Sequence, residues 1–478
     1  MRPERVVIGT MEPFVREWAK ELEPILRLRI ERVLVSPHDL NRYLEEFYSV
    51  SSSIRRASRD GDAGRAVGLS DLEQLVELGR SGQLDANDRH VVSIVDWLLQ
   101  YAYSQRASDI HIEPRRDQGN IRFRIDGVMN LVYRMPTPIM AAITSRLKIL
   151  GRMDVAEKRR PQDGRIKTKT PDAREIELRL STMPTAFGEK LVMRIFDPEV
   201  LVRSFDELGF GKRERDGWEQ LTDHSHGIIL VTGPTGSGKT TTLYSTLRQL
   251  ARPEVNVCTV EDPIENVVSE FNQMQVQQNI GLDFAAGVRT LMRQDPDIIM
   301  VGEIRDVETA DMAVQAALTG HLVLSTLHTN DSASAVTRLL DIGIPAYLLK
   351  ATLLGVLAQR LVRTLCPHCK RPVDLDEAGW GELVAPWKVN RPAQMYRAQG
   401  CGRCRDTGYL GRVGIYELLS MTPGVRAMIT PDTDLAGLRE QAFKEGMRPL
   451  RLDGARKVGT GETTIEEVQR VAPAQHEL

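Results

Sequence analysis

A chain of 478 residues is longer than one hydrophobic core supports, so several domains are expected. Its composition, 41% hydrophobic and 27% charged, is that of an ordinary globular protein, and a formal net charge of −2 argues against non-specific attraction to nucleic acid over the whole surface. No stretch approaches the roughly 18 uninterrupted apolar residues of a membrane span, and the opening Met1–Gly9 has too short an apolar run for a signal peptide. The expected location is the cytoplasm, with any membrane attachment made through a partner.

In chain order, residues 1–50 alternate strand and helix patterns: Val6-Val7-Ile8, a helix expected from about 11 to 22, a strand over Arg32-Val33-Leu34-Val35, and a helix opening at Ser36-Pro37 and running to about Ser49. This small α/β module begins abruptly on a strand and is expected to be partial. Residues 51–88, rich in Ser, Arg, Asp and Gly, read as a linker with one short helix near 71–79. A smaller α+β domain is expected over 89–204. It opens on an amphipathic helix, 89–105, and continues with strands of period two: Ile121–Asp126, Glu175–Ser181 and Lys190–Phe196. From 205 to 478 strands and helices alternate as in a P-loop α/β domain. A cysteine-bearing insert interrupts it at 366–404, and a helical tail follows from 422 to 478.

Residues Gly233, Pro234, Thr235, Gly236, Ser237, Gly238, Lys239 and Thr240 form a complete G-x-x-x-x-G-K-[ST] motif, continued by Thr241. The β-type run Ile228–Val231 precedes it and a helical pattern follows, so backbone N–H groups and a positive helix end can cradle phosphate. Lys239 would reach the β- and γ-phosphates of ATP, and the Thr240 hydroxyl would hold Mg²⁺. Three further clusters close apolar strands: Glu261-Asp262, Gly302-Glu303, and Gly320–Asp331 with His328 after its strand and His321 before it. Carboxylates at the carboxyl ends of parallel strands point into the crevice where nucleotides lie, to hold Mg²⁺ through water or polarise the attacking water. Either Glu261 or Glu303 suits the general base. An imidazole at His328 would sense the γ-phosphate.

Four of the five cysteines stand as Cys366-Pro-His-Cys369 and Cys401-Gly-Arg-Cys404. Two C-x-x-C knuckles in a reducing compartment suit tetrahedral Zn²⁺ better than two disulfides or a duplicated redox pair. His368 is surplus to a four-thiolate set, and Cys258 reads as a buried strand residue.

With these signatures together (Gly233–Thr240, Glu261-Asp262, Gly302-Glu303 and Gly320–Asn330), residues 90–478 resemble the secretion ATPases of the type II secretion and type IV pilus superfamily. The resemblance implies a RecA-like P-loop ATPase domain, assembled as a homo-hexamer that turns ATP hydrolysis into motion of one domain against its neighbour. It also implies arginines supplied to the active site by the preceding domain, matched here by Arg165 and Arg179, with Arg194 a weaker third. The implied partner is the cytoplasmic domain of an inner-membrane platform protein, which residues 1–50 would dock, leaving the ATPase peripheral to that membrane. The tetracysteine insert is similar to assembly-type and type II secretion members rather than to pilus retraction motors. Within that group Asn41–Ala57 resembles the type II secretion ATPase first and the pilus assembly ATPase second. A DNA translocase is the less favoured alternative, since 5% aromatics and near-zero net charge do not suit a nucleic-acid channel.

Overall fold

The computed structural model describes residues 5–26, 28–37, 40, 86–170, 175–196 and 203–472. The chain divides into two compact units, Met1–Ile195 and Phe196–Leu478. The expected helix ending near Ser49 and the linker to residue 88 fall largely outside the described residues.

In the first unit, strands β1 (Arg5–Thr10) and β2 (Arg29–Leu34) pair in parallel, joined by a helix over Glu17–Leu26. That helix begins some turns later than the expected 11–22, for a local reason. Thr10 Oγ1 accepts the Glu12 N–H at 3.1 Å, making a turn, and Pro13 steers the residue before it out of the helical region.

Next comes a six-stranded sheet built from β3 (Ala107–Glu113), β4 (Gln118–Ile125), β5 (Val128–Pro136), β6 (Gln162–Lys169), β7 (Glu175–Thr185) and β8 (Gly188–Phe196), in the order β5-β4-β3-β8-β7-β6. Period-two alternation sends Ile110, Ile112, Ile121, Phe123, Leu178, Leu191 and Met193 to one face. There they pack with Val95, Leu98 and Ala102 of the helix Arg89–Ser104 and with Ile143 and Leu147 of the helix Thr137–Leu150. The other face is charged. Glu113 accepts from Arg122 at 2.7 Å and pairs with Lys190 at 3.3 Å, and Arg194 pairs with Asp109 at 3.1 Å.

The second unit holds a seven-stranded sheet. Its strands are β9 (Gly227–Thr232), β10 (Val257–Glu261), β11 (Asn272–Gln275), β12 (Ile298–Val301), β13 (Leu322–Leu327), β14 (Leu353–Leu365) and β17 (Tyr409–Ser420), ordered β11-β10-β12-β13-β9-β14-β17. All pairings are parallel except β14–β17. The central parallel strands β9, β12 and β13 are largely apolar because both faces are covered. Ile228 and Leu230 of β9 join one cluster with Val301, Val323 and Ala313, and Ile229 and Val231 join another with Leu243, Leu247 and Trp218. Within the insert, β15 (Arg371–Val373) pairs antiparallel with β16 (Met395–Arg397). A helix over Glu377–Val384 packs Trp380 and Leu383 against Val458 and Val468 of the C-terminal helices Leu450–Gly459 and Ile465–Val471. No helix among the described residues is long and apolar enough to cross a membrane.

One buried ion pair anchors the first unit. Lys148 is 0% exposed and donates to Glu189 Oε1 and to the Glu157 carbonyl, both at 2.7 Å. Glu189→Leu strands a buried ammonium and is expected to destabilise this unit by about 3 kcal/mol, whereas Lys148→Met with Glu189→Leu recovers most of the loss. Chemical denaturation of the two variants against the parent checks both.

Candidate functional site

The parallel register sets the site. Val260 pairs with Val301, Val301 with Ser325, and Leu327 with Thr232, so β10, β12, β13 and β9 finish side by side. Segments from four distant parts of the chain therefore leave the sheet along one carboxyl edge: Glu261-Asp262, Gly302-Glu303, His328-Thr329 and the phosphate loop. His321, ahead of β13, lies at the other edge, its Nδ1 2.9 Å from the Ala316 carbonyl.

The phosphate loop leaves β9 at Gly233 and enters the helix Lys239–Leu250 at Gly238. Gly233 (φ 152°), Gly236 (φ 79°) and Gly238 (φ 88°) take backbone conformations that side chains resist. Their surroundings differ. A Cβ on Gly233 would meet the Gln359 carbonyl at 2.6 Å and one on Gly238 would meet Gln359 Nε2 at 2.8 Å, while one on Gly236 would meet nothing within 4 Å. The outer two glycines thus let the loop lie against β14, and the middle one keeps its mouth open.

Lys239 folds back over the loop, donating to the carbonyls of Gly233 at 2.7 Å and Pro234 at 3.2 Å. Burial lowers its pKa to about 8, with Glu303 pulling it up and Arg360 pushing it down. Thr240 and Thr241 stand half-buried in the first helical turn, and Thr235 is exposed at the loop. Ser237 is buried, with a hydroxyl that lacks a partner among the described residues.

The two glutamates stand in opposite environments. Glu261 is 3% exposed; one carboxylate oxygen accepts Tyr244 O–H at 2.6 Å, and the other accepts Thr259 O–H at 2.6 Å and Gln273 Nε2–H at 3.2 Å. Glu303 faces basic groups instead: Arg305 hydrogen-bonds one oxygen, the His328 imidazole Nε2 is 3.6 Å from the other, and Lys239 feels its charge. Burial lowers the pKa of the half-exposed His328, and Lys239 and Arg305 add to this against the pull of Glu303. Its imidazole is therefore neutral at neutral pH.

Sequence reading passed over the residues that hold this site together. Gln359 and Arg360, 1% and 8% exposed, are polar side chains inside β14. Gln359 Nε2 donates to the Ser237 carbonyl at 2.6 Å, and its Oε1 accepts Thr242 O–H at 2.8 Å, bracing both loop and helix. The available signal was an adjacent Gln-Arg pair in an otherwise apolar run, which is costly unless each group is satisfied. Arg165 and Arg179 lie in the first unit, where they sit directly opposite each other on β6 and β7; Arg179 also pairs with Glu177 at 3.1 Å.

The sulfurs of Cys366, Cys369, Cys401 and Cys404 lie within 4.8 Å of one another, with separations of 3.9 Å (366–401), 3.7 Å (369–404) and 3.7 Å (401–404). A tetrahedral zinc with bonds of about 2.3 Å requires edges of about 3.8 Å, so the donor set fits. Cys404 Sγ accepts the N–H groups of Cys401 and Gly408 at 3.1 and 3.2 Å, hydrogen bonds that favour a thiolate. His368 is outside the cluster, beside Arg403. Cys258 is buried on β10.

The profile of the family described as type II/IV secretion system protein matches residues 85–470. The chain is 58% identical over 474 residues to the type IV pilus assembly ATPase TfpB of Acinetobacter baylyi, covering 99% of this chain and 81% of that protein. It is 41% identical over 472 residues to the type II secretion system ATPase E of Vibrio cholerae, covering 96% and 91%. Its fold is similar to that of the ATPase DotB of Legionella pneumophila, with TM-score 0.59 and 22% identity over 79% of this chain and 95% of that one. A P-loop with carboxylates and a histidine along one sheet edge, in a chain matched by this family from residue 85 to 470, makes it a member of the type II/IV secretion system protein family and an ATP-hydrolysing enzyme.

Proposed function

We propose that this chain is a cytoplasmic motor for type IV pilus assembly, a homo-hexamer of RecA-like domains docked on the cytoplasmic part of an inner-membrane platform protein. The observation that carries pilus assembly ahead of type II secretion is identity: 58% across 99% of the chain to one pilus assembly ATPase, against 41–45% to the type II secretion relatives. The likeness of Asn41–Ala57 to type II secretion members supports the second reading, export through that system. DNA translocation has no support beyond the shared P-loop.

In this reading Lys239 grips the β- and γ-phosphates once they displace the Gly233 and Pro234 carbonyls, and Thr240 and the Glu303 side are the ligands suited to Mg²⁺, which supplies charge neutralisation on the phosphates when bound. Glu303, beside Lys239 and His328, orients the attacking water. Glu261, already saturated with donors, holds the shape of its edge. His328 faces the γ-phosphate, and Arg165 and Arg179 of a neighbouring copy offer guanidinium charge to it. Residues 1–50 carry the platform contact, 89–204 the arginines, and 205–478 the motor. The cysteine cluster holds zinc and fixes the insert on the C-terminal helices.

The test of pathway and chemistry is one allele exchange. Glu303→Gln is expected to bind ATP within about threefold of the parent but to hydrolyse it at least about a hundredfold more slowly. In the host it should abolish surface pili while leaving exported proteins unchanged; loss of export with normal pili would move the chain to type II secretion. Zinc content supplies an independent check. One equivalent per chain is expected, and Cys401→Ser should release it while nucleotide binding persists. Lys239 adds a pH dependence. Phosphates stabilise its ammonium, so ATP binding raises a pKa that is about 8 in the free enzyme. ATP affinity is then constant below pH 8 and falls about tenfold per pH unit above it, with about one proton taken up on binding near pH 9. Calorimetry in buffers of different ionisation enthalpy measures that proton.

A further inference from the structure

Arg360 is the only charged residue between Leu353 and Val362, and it is 8% exposed. An apolar side chain would serve the core better, since a buried cation must recover its lost hydration. Its contacts run in two directions. Nη1 donates to the Gln359 carbonyl at 3.0 Å and lies 3.1 Å from where a Cβ on Gly233 would stand, against the start of the phosphate loop. Nη2 donates to the Asn330 carbonyl at 2.8 Å and approaches Asn330 Oδ1 at 3.3 Å, in the loop that carries His328. A second tie joins the same two loops, because Thr232 Oγ1 accepts the Thr329 N–H at 2.9 Å and lies 2.7 Å from Thr329 Oγ1.

Beyond Asn330 the chain stays fastened. Asp331 accepts from Arg439 of the helix Leu435–Lys444 at 2.6 Å and caps the next helix through the Ser334 N–H at 2.8 Å. Ser332 donates its N–H at 2.9 Å, and also its hydroxyl, to Glu417 on β17, a fully buried carboxyl whose pKa burial raises. Asp331 and Glu417 are the acidic groups whose influence reaches Arg360.

We propose that Arg360 is a positioning residue for hydrolysis, locking the His328 loop to the phosphate loop so that both move as one body when the γ-phosphate binds or leaves. This rests on the ATPase reading of the P-loop. The two loops are separated by about ninety residues in sequence and meet only at strand ends, where no ladder hydrogen bonds hold them. Beside the Thr232–Thr329 tie, the guanidinium links the Asn330 carbonyl to the Gln359 carbonyl on β14, whose side chain holds the phosphate loop at Ser237, with a fork that a lysine cannot reproduce.

The experiment uses the full chain as parent, Arg360→Lys and Arg360→Gln, with affinity read from a non-hydrolysable ATP analogue and kcat from ATP, both at neutral pH. Both variants are expected to bind within about threefold of the parent at neutral pH while kcat falls about tenfold or more, the cost of a catalytic group misplaced by a fraction of an ångström to one ångström. A kcat within twofold of the parent in both variants would overturn the proposal. So would a parallel loss of affinity and turnover in both variants, the pattern of a merely structural brace. Absence of hydrolysis by the parent in the same assay would instead refute the ATPase reading on which the proposal stands.

Discussion

Parallel main-chain pairing is the constraint on which everything else in the second unit depends. Because β10, β12, β13 and β9 hydrogen-bond in one register, four loops that are far apart in sequence leave the sheet at a common edge. Parallel strands need crossovers, and the crossovers place helices on both faces. That burial makes the central strands β9, β12 and β13 largely apolar and places most of the polar chemistry at the strand ends. The site is a consequence of sheet topology before it is a consequence of any one side chain.

The polar residues that do enter the interior explain how the edge keeps its shape. Gln359 satisfies both a loop carbonyl and a helix hydroxyl, so the phosphate loop holds its form between visits of the nucleotide. Glu261 is similarly enclosed by Tyr244, Thr259 and Gln273, whereas Glu303 is left facing basic groups. Two glutamates at equivalent strand ends thereby acquire different chemistry from their neighbours alone. Buried groups of this kind are retained only when every donor and acceptor is met, which is why they form connected sets rather than isolated contacts.

The cysteine insert and the first unit follow the same logic at smaller scale. A two-stranded ribbon and one short helix bury too little apolar surface to be stable alone. Four converging sulfurs and the packing of Trp380 and Leu383 on the C-terminal helices provide what the insert lacks. In the first unit, helices cover one face of the six-stranded sheet and leave the other to an array of paired charges, among them Arg179 with Glu177 and Arg194 with Asp109.

The sequence by itself determined the phosphate loop, the two cysteine knuckles, the period-two strands such as Ile121–Asp126 and the acidic strand ends, because each is a local pattern set by backbone geometry or ligand spacing. It also carried the family resemblance. It misplaced the first helix, where a threonine turn and Pro13 delay the start. It left open how the surroundings of Glu261 and Glu303 differ, and it was silent on Gln359 and Arg360. Those were decided only by tertiary structure. The partners of Gln359 lie more than a hundred residues away, at Ser237 and Thr242, and Glu261 differs from Glu303 only in which side chains the sheet order brings beside it. Local patterns record what a backbone segment can form, and long-range pairing decides which groups become neighbours, which is what sets charge, burial and chemical role.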